Sequence, residues 1–232
     1  MDPITAVSLV ISFLPFLIQT ALDNSPKYQA HLEKIRQKAL KMAEEANNYK
    51  SEIPNEYLQD ANESILFPAI QTSIPYLNEK DIRKMFAKLI ASAYDCRKNE
   101  YLHPGFINLI TQLSPNDARI LSFINNHPDF IGLICIKGNK EYPLIDSFDI
   151  LSDIGIEQVA LSIVNLKRLG ILTIDSRLLI EKYPFFDRPI DKSLNDVDVR
   201  ITNLITTKNF EIHSNDTFLT ELGRAFLKVC IE

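Results

Sequence analysis

The chain has 232 residues, 46% of them apolar and 24% charged, with only 6 glycines. These proportions exclude collagen-like, disulfide-framework and largely disordered classes, and leave enough chain for one large core or two ordinary ones. A formal net charge of −5 supplies no global attraction to polyanions, so nucleic-acid affinity would need a local basic patch.

Residues 1–24 read as an apolar helix. From Ile4 to Leu22 no residue is charged, a run of 19, or about 28 Å at ~1.5 Å per residue, near the lower limit for spanning a bilayer. No Lys or Arg precedes the run and no small-x-small cleavage site follows it, which argues against a secretory signal. Thr5, Ser8, Ser12 and Gln19 form one polar stripe together with Pro15. The remaining faces are apolar and must be covered by a protein core, by self-association or by membrane. Lys27, Lys34, Arg36, Lys38 and Lys41 follow, opposed only by Glu33, as suits a cytoplasmic flank or a surface attracted to anionic lipid.

Residues 25–113 read as a helical domain. Tyr28 to Tyr49 carries Leu32, Ile35, Ala39 and Met42 at helical spacing and predicts one long helix with a solvated basic face. Pro54, Pro68 and Pro75 then punctuate shorter pieces. Asn78 or Asp81 is expected to cap the next helix, where Ile82, Met85, Phe86, Leu89, Ile90 and Ala93 recur at i, i+3, i+4, i+7, i+8 and i+11 as a core stripe. Its other face carries Arg83, Lys84 and Lys88.

His103-Pro104-Gly105-Phe106 starts another helix, because proline is well accommodated in a first turn and apolar residues follow at helical spacing. His103 has two readings there: a cap that ties the preceding loop to the helix, or an exposed imidazole that meets a partner. Ser114-Pro115-Asn116-Asp117 is a further start signal, with serine as cap and proline in the first turn.

Taken in order, the turn Leu66-Phe67-Pro68-Ala69-Ile70, the helix from Ile82 to Ala93, His103-Pro104-Gly105-Phe106 and the run Gln112 to Ala118 resemble the abortive-infection alpha family of bacterial phage-defence proteins. The resemblance covers roughly residues 54 to 125. Gly105 stands where a serine or alanine is more usual in that family. What the resemblance implies is a non-enzymatic role in limiting phage growth.

Residues 114–232 read as a second, winged-helix-like domain. Phe130 to Lys137 and Tyr142 to Ile145 are β-rich and separated by Gly138-Asn139, a hairpin signal. Ile156, Val159, Ala160, Ile163 and Leu166 give an amphipathic helix ending at Gly170, followed by the strand-like Ile171 to Asp175. Asn209 to His213 is a second strand-like run and Leu219 to Leu227 a closing helix. The long wing insertion, 176–208, mixes cations and carboxylates as a solvated loop or contact surface would.

In a winged helix, base readout comes mainly from the first residues of the recognition helix. Its face would be Gln158, Ser162, Asn165 and Arg168, but Glu157 leads it and cations come only at the last turn. That order disfavours DNA, since the carboxylate repels phosphate and few counterions would be released.

Enzymatic patterns are missing. The sequence has no Gly-Lys-Ser/Thr phosphate loop, no G-x-G-x-x-G, no Gly-x-Ser-x-Gly and no His-x-x-x-His or Cys-x-x-Cys. Asp95, Cys96 and His103 are close in sequence, yet no local pattern faces thiol to imidazole. Catalytic residues, cofactors and metals are therefore not expected. The three cysteines, Cys96, Cys135 and Cys230, are widely separated and odd in number, as fits buried, reduced thiols in the cytoplasm.

The expectation is a mainly α chain: a helical N-terminal domain, then a winged-helix-like α+β domain. Its expected work is non-enzymatic antiviral defence through a protein partner or self-association, without nucleic acid. Two alternatives stand beside it. One is a DNA-binding transcriptional regulator; the other is a membrane-active effector that uses residues 4–22 at the inner membrane.

Overall fold

Apolar side chains at helical spacing dominate the first half of the chain, and there they fold as helices. The computed structural model describes residues 2–8, 26–128, 132–175, 199–208 and 211–232. Two compact units result: residues 1–115 with 225–232, and residues 116–224. The last eight residues thus group with the helical unit, whereas the sequence pattern assigned everything from 114 onward to the second domain.

In the first unit, residues 3–8 are helical (α1). Asp2 caps the turn, its Oδ1 accepting from the Thr5 amide at 2.9 Å and its Oδ2 from the Thr5 hydroxyl at 2.6 Å. Thr5 and Ser8 of the polar stripe are exposed, while Ala6 and Val7 are buried. The rest of the uncharged run, residues 9–22, lies outside the described residues. Among the described residues no helix is long and apolar enough to cross a membrane.

The long helix appears as α2, Pro26–Ser51. Next comes α3, Glu63–Ser73, where the Asn62 side chain accepts from the Ser64 amide at 3.1 Å. Pro68 sits inside α3 and does not end it; burial of Ile65, Leu66, Ala69 and Ile70 outweighs the one backbone bond the proline removes.

The core stripe is on α4, Lys80–Ser92, whose members from Ile82 to Ile90 are all buried. Neither expected residue caps it. Glu79 holds the cap position without a side-chain bond, Asp81 lies in the first turn near the positive end of the helix dipole, and the Asn78 side chain is turned to Lys38 of α2, whose ammonium donates to its Oδ1. Helix α2 runs beside α4, so the polar face of α4 is largely covered and Arg83 is buried. The unit continues with α5, Gly105–Thr111.

Cys96 corrects an expectation, for it is exposed while Cys135 and Cys230 are buried. It opens a single 3-10 turn, Cys96–Lys98, in which Asp95 is turned inward to accept from the Arg97 amide at 3.0 Å. The neighbouring thiol is left outside. Burial pushes the Cys135 thiol up to about 12 and the Cys230 thiol higher still.

The second unit starts with α6, Pro115–Asn126, and the hairpin strands β1, Gly132–Lys137, and β2, Lys140–Ile145. Lys137 pairs with Lys140, and Gly138 turns the chain at φ 60°. Ser147 caps α7, Phe148–Ile154, accepting from the Ile150 amide at 3.4 Å. Gly155, at φ 92°, separates it from α8, Ile156–Arg168. The unit continues with β3, Leu172–Asp175, α9, Val199–Thr207, and β4, Glu211–Leu219; α10, Glu221–Cys230, follows, and its residues from 225 on group with the first unit.

Among the described residues the strands pair antiparallel, in the order β2-β1-β4-β3. β4 joins two small sheets. Its residues 211–215 pair with β1 and its residues 216–219 with β3. The predicted insertion is not all loop, because α9 buries Ile201 and Ile205 completely; residues 176–198 lie outside the described residues.

The start of α10 is fitted to the loop before β3. The Thr220 amide donates to the Ile171 carbonyl at 3.1 Å, the Thr220 hydroxyl donates to the Gly170 carbonyl at 2.5 Å, and the Gly223 amide donates to that hydroxyl at 2.9 Å. A Cβ on residue 223 would fall 2.2 Å from the Ile171 carbonyl oxygen, and backbone atoms cannot swing aside as a flexible side chain does. Gly223→Ala is therefore expected to cost about 1–3 kcal/mol, read as a lower urea midpoint with an unchanged slope.

Candidate functional site

Three places bring together side chains with chemistry to offer. The first is the His103-Pro104-Gly105-Phe106 turn. Pro104 occupies the cap position of α5, and His103 Nδ1 accepts from the Gly105 amide at 3.0 Å. A Cβ on residue 105 would lie 2.8 Å from that nitrogen, so glycine lets the ring fold back over the helix start. His103 and Pro104 are exposed, whereas Phe106 is buried and meets Phe226 edge-on at 5.4 Å. Such geometry gives His103 a capping task. His103→Ala should lower stability by about 1 kcal/mol, a fall of roughly 2–4 °C in a melt of a chain this size.

Outward-facing positions of α8 make the second place. Gln158 and Arg168 are exposed, but Ser162 is buried. Asn165 donates to Asp117 of α6 at 2.9 Å and accepts from Arg168 at 2.8 Å. These four residues therefore do not share one open face. Glu157, Gln158, Leu161, Val164 and Lys167 do project outward, with Leu161 63% and Val164 50% exposed.

The third place was not singled out by the sequence. A cleft of about 450 Å³ in the first unit is lined by Tyr49, Lys88, Arg97, Lys98, Lys228 and Glu232, among others. Lys88 reaches into it from α4, half-buried, donating to the Ile231 carbonyl with its ammonium 5.1 Å from the centre of the Tyr49 ring. Burial first, then repulsion from Lys98 and Lys84, holds Lys88 below the ordinary lysine range. Lys98 is half-buried and likewise held down by burial.

Arg97 is matched by Asp95, with Nε donating at 2.9 Å and Nη2 at 2.7 Å. The guanidinium also stacks over Tyr57 at 4.6 Å. That pairing holds the Asp95 carboxyl below the usual carboxylate range. Lys228 stands over the Tyr101 ring at 3.7 Å. Among the described residues no group of His, Cys, Asp or Glu is arranged to hold a metal, and Asp95 turns to Arg97, not to His103.

A family model described as abortive infection alpha matches residues 27–230. The chain belongs to the abortive infection alpha family. The match extends well beyond residues 54 to 125, through both units. Neither a curated protein nor a solved structure matches the chain.

The segments that carry the resemblance to the abortive infection alpha family meet in the first unit. Leu66 to Ile70 lies in α3, Ile82 to Ala93 spans α4 and its C-cap, and Phe106 enters α5; these three helices pack on one another. Much of what marks the family here is thus core. The cleft is not legible in the sequence because Lys88 and Lys98 sit in different elements, and only folding brings them to one wall.

Proposed function

We propose that the chain acts in abortive infection as a non-enzymatic cytoplasmic protein whose second unit contacts another protein. Family membership supports the phage-defence part of this reading. The observation that carries the rest is the outer face of α8, where two large aliphatic side chains are at least half exposed beside Glu157. Exposed aliphatic residues on a rigid helix favour a protein surface, while a leading carboxylate disfavours phosphate. We read the second unit as winged-helix-like: two consecutive helices, α7 and α8, precede β3 and β4, and the order β2-β1-β4-β3 places the hairpin strand β1 beside β4.

The test is phage challenge of cells that carry the chain with Leu161→Asp and Val164→Asp together. Both sites are exposed, so the melting temperature should hold while protection is lost. Retained protection would sink the reading. A steep fall of DNA affinity with salt would favour a regulator instead.

A further inference from the structure

The cleft of the first unit holds one buried carboxylate, Asp95, which is committed to Arg97, and its other carboxylates are exposed. Lys88 and Lys98 are half-buried, whereas Glu52 and Glu232 at its margin are exposed. Arg97 already has its counter-ion in Asp95. Among the described residues no carboxylate lies within ion-pair distance of Lys88 or Lys98.

Withdrawing an ammonium group from water without a carboxylate at ion-pair distance is costly, and the more distant Glu52, Asp95 and Glu232 offset that cost only in part. We infer that this cleft binds a small phosphate-bearing molecule, with Lys88 and Lys98 as its inner contacts and Lys228 at the rim. Lys88 spends one of its three donors on the Ile231 carbonyl, which leaves two for oxygens of a ligand. A phosphate group offers several acceptor oxygens to ammonium groups that approach from separate helices and turns. The volume of about 450 Å³ lies within the range of small-molecule sites. Burial lowers the proton affinity of both lysines, and a bound dianion would reverse that effect. Such a cleft would take its ligand whatever the second unit contacts.

Calorimetric titration of the full chain tests this, using inorganic phosphate, pyrophosphate, ATP and adenosine, with chloride holding ionic strength constant. Pyrophosphate or ATP should bind, and adenosine should not. Equal binding of ATP and pyrophosphate makes the phosphates the recognised part; tighter binding of ATP adds its nucleoside. Lys98→Gln changes a side chain that makes no hydrogen bond among the described residues and should fold, while weakening the anion about tenfold, the size of one charge-assisted contact. Lys228→Gln should weaken it as well, and Lys84→Gln should not. Phosphates that bind no better than chloride, or that bind Lys98→Gln and Lys228→Gln undiminished, would overturn the assignment.

Discussion

Arg83→Ala lowers stability by about 3–5 kcal/mol, the expected cost of leaving one partner of a buried ion pair behind. Arg83 lies on α4 with its side chain 9% exposed, and Glu45 on α2 with its side chain 21% exposed. The guanidinium grips the carboxylate in a fork, Nη2 at 2.9 Å from one oxygen and Nε at 3.1 Å from the other, while Nη1 donates to the Leu77 carbonyl at 3.1 Å. Truncation strands the carboxylate and that carbonyl against an apolar core, where neither regains its full hydration. Replacing both members by methionine is a different experiment. It removes the charges together, keeps much of the volume, and should recover most of the loss. Urea unfolding of Arg83→Ala tests the first expectation, and Arg83→Met, Glu45→Met and the double methionine variant form the double-mutant cycle, in which additive losses would show that the pair carries no coupling.

Phe226→Ala should cost about as much, 3–5 kcal/mol, for a different reason. Phe226 is completely buried, and its ring meets Phe106 at an interplanar angle of 86°. Alanine leaves a cavity that surrounding helices fill only in part, and it removes an edge-to-face contact worth about 0.5–1.5 kcal/mol by itself. Since Phe106 follows directly on His103-Pro104-Gly105, the cavity also loosens the start of α5. A thermal melt should fall by roughly 6–20 °C, and protection against phage should fall with it. Phe226→Leu keeps most of the volume and should lose far less.

Periodicity made the helices legible. The stripe on α4 could be read because six apolar residues repeat without interruption, and the hairpin because Gly138-Asn139 separates two β-rich runs. Pro68 misled because burial of its neighbours overrode a local penalty. Cys96 misled because hydrophobicity ranks thiols as core, whereas here the carboxylate of Asp95 takes the inward position. On α8, spacing grouped Gln158, Ser162, Asn165 and Arg168, but the helix is rotated so that Ser162 lies with Ile163 and Leu166 in the core. Rotation is set by what packs on a helix, and that lies elsewhere in the chain. The same holds for the fork between Arg83 and Glu45 and for Lys88 and Lys228 of the cleft, whose partners are tens of residues away.

Strand β4 acts as a common ruler. Asn215 is matched to Gly132 and Asp216 to Asp175, so consecutive residues of one strand set the alignment of two sheets. A shift by a single residue along β1 would drag β3 out of step too, and each sheet thereby proofreads the other's register. Short strands, prone to sliding when alone, are held in place here because neither can slip without the other.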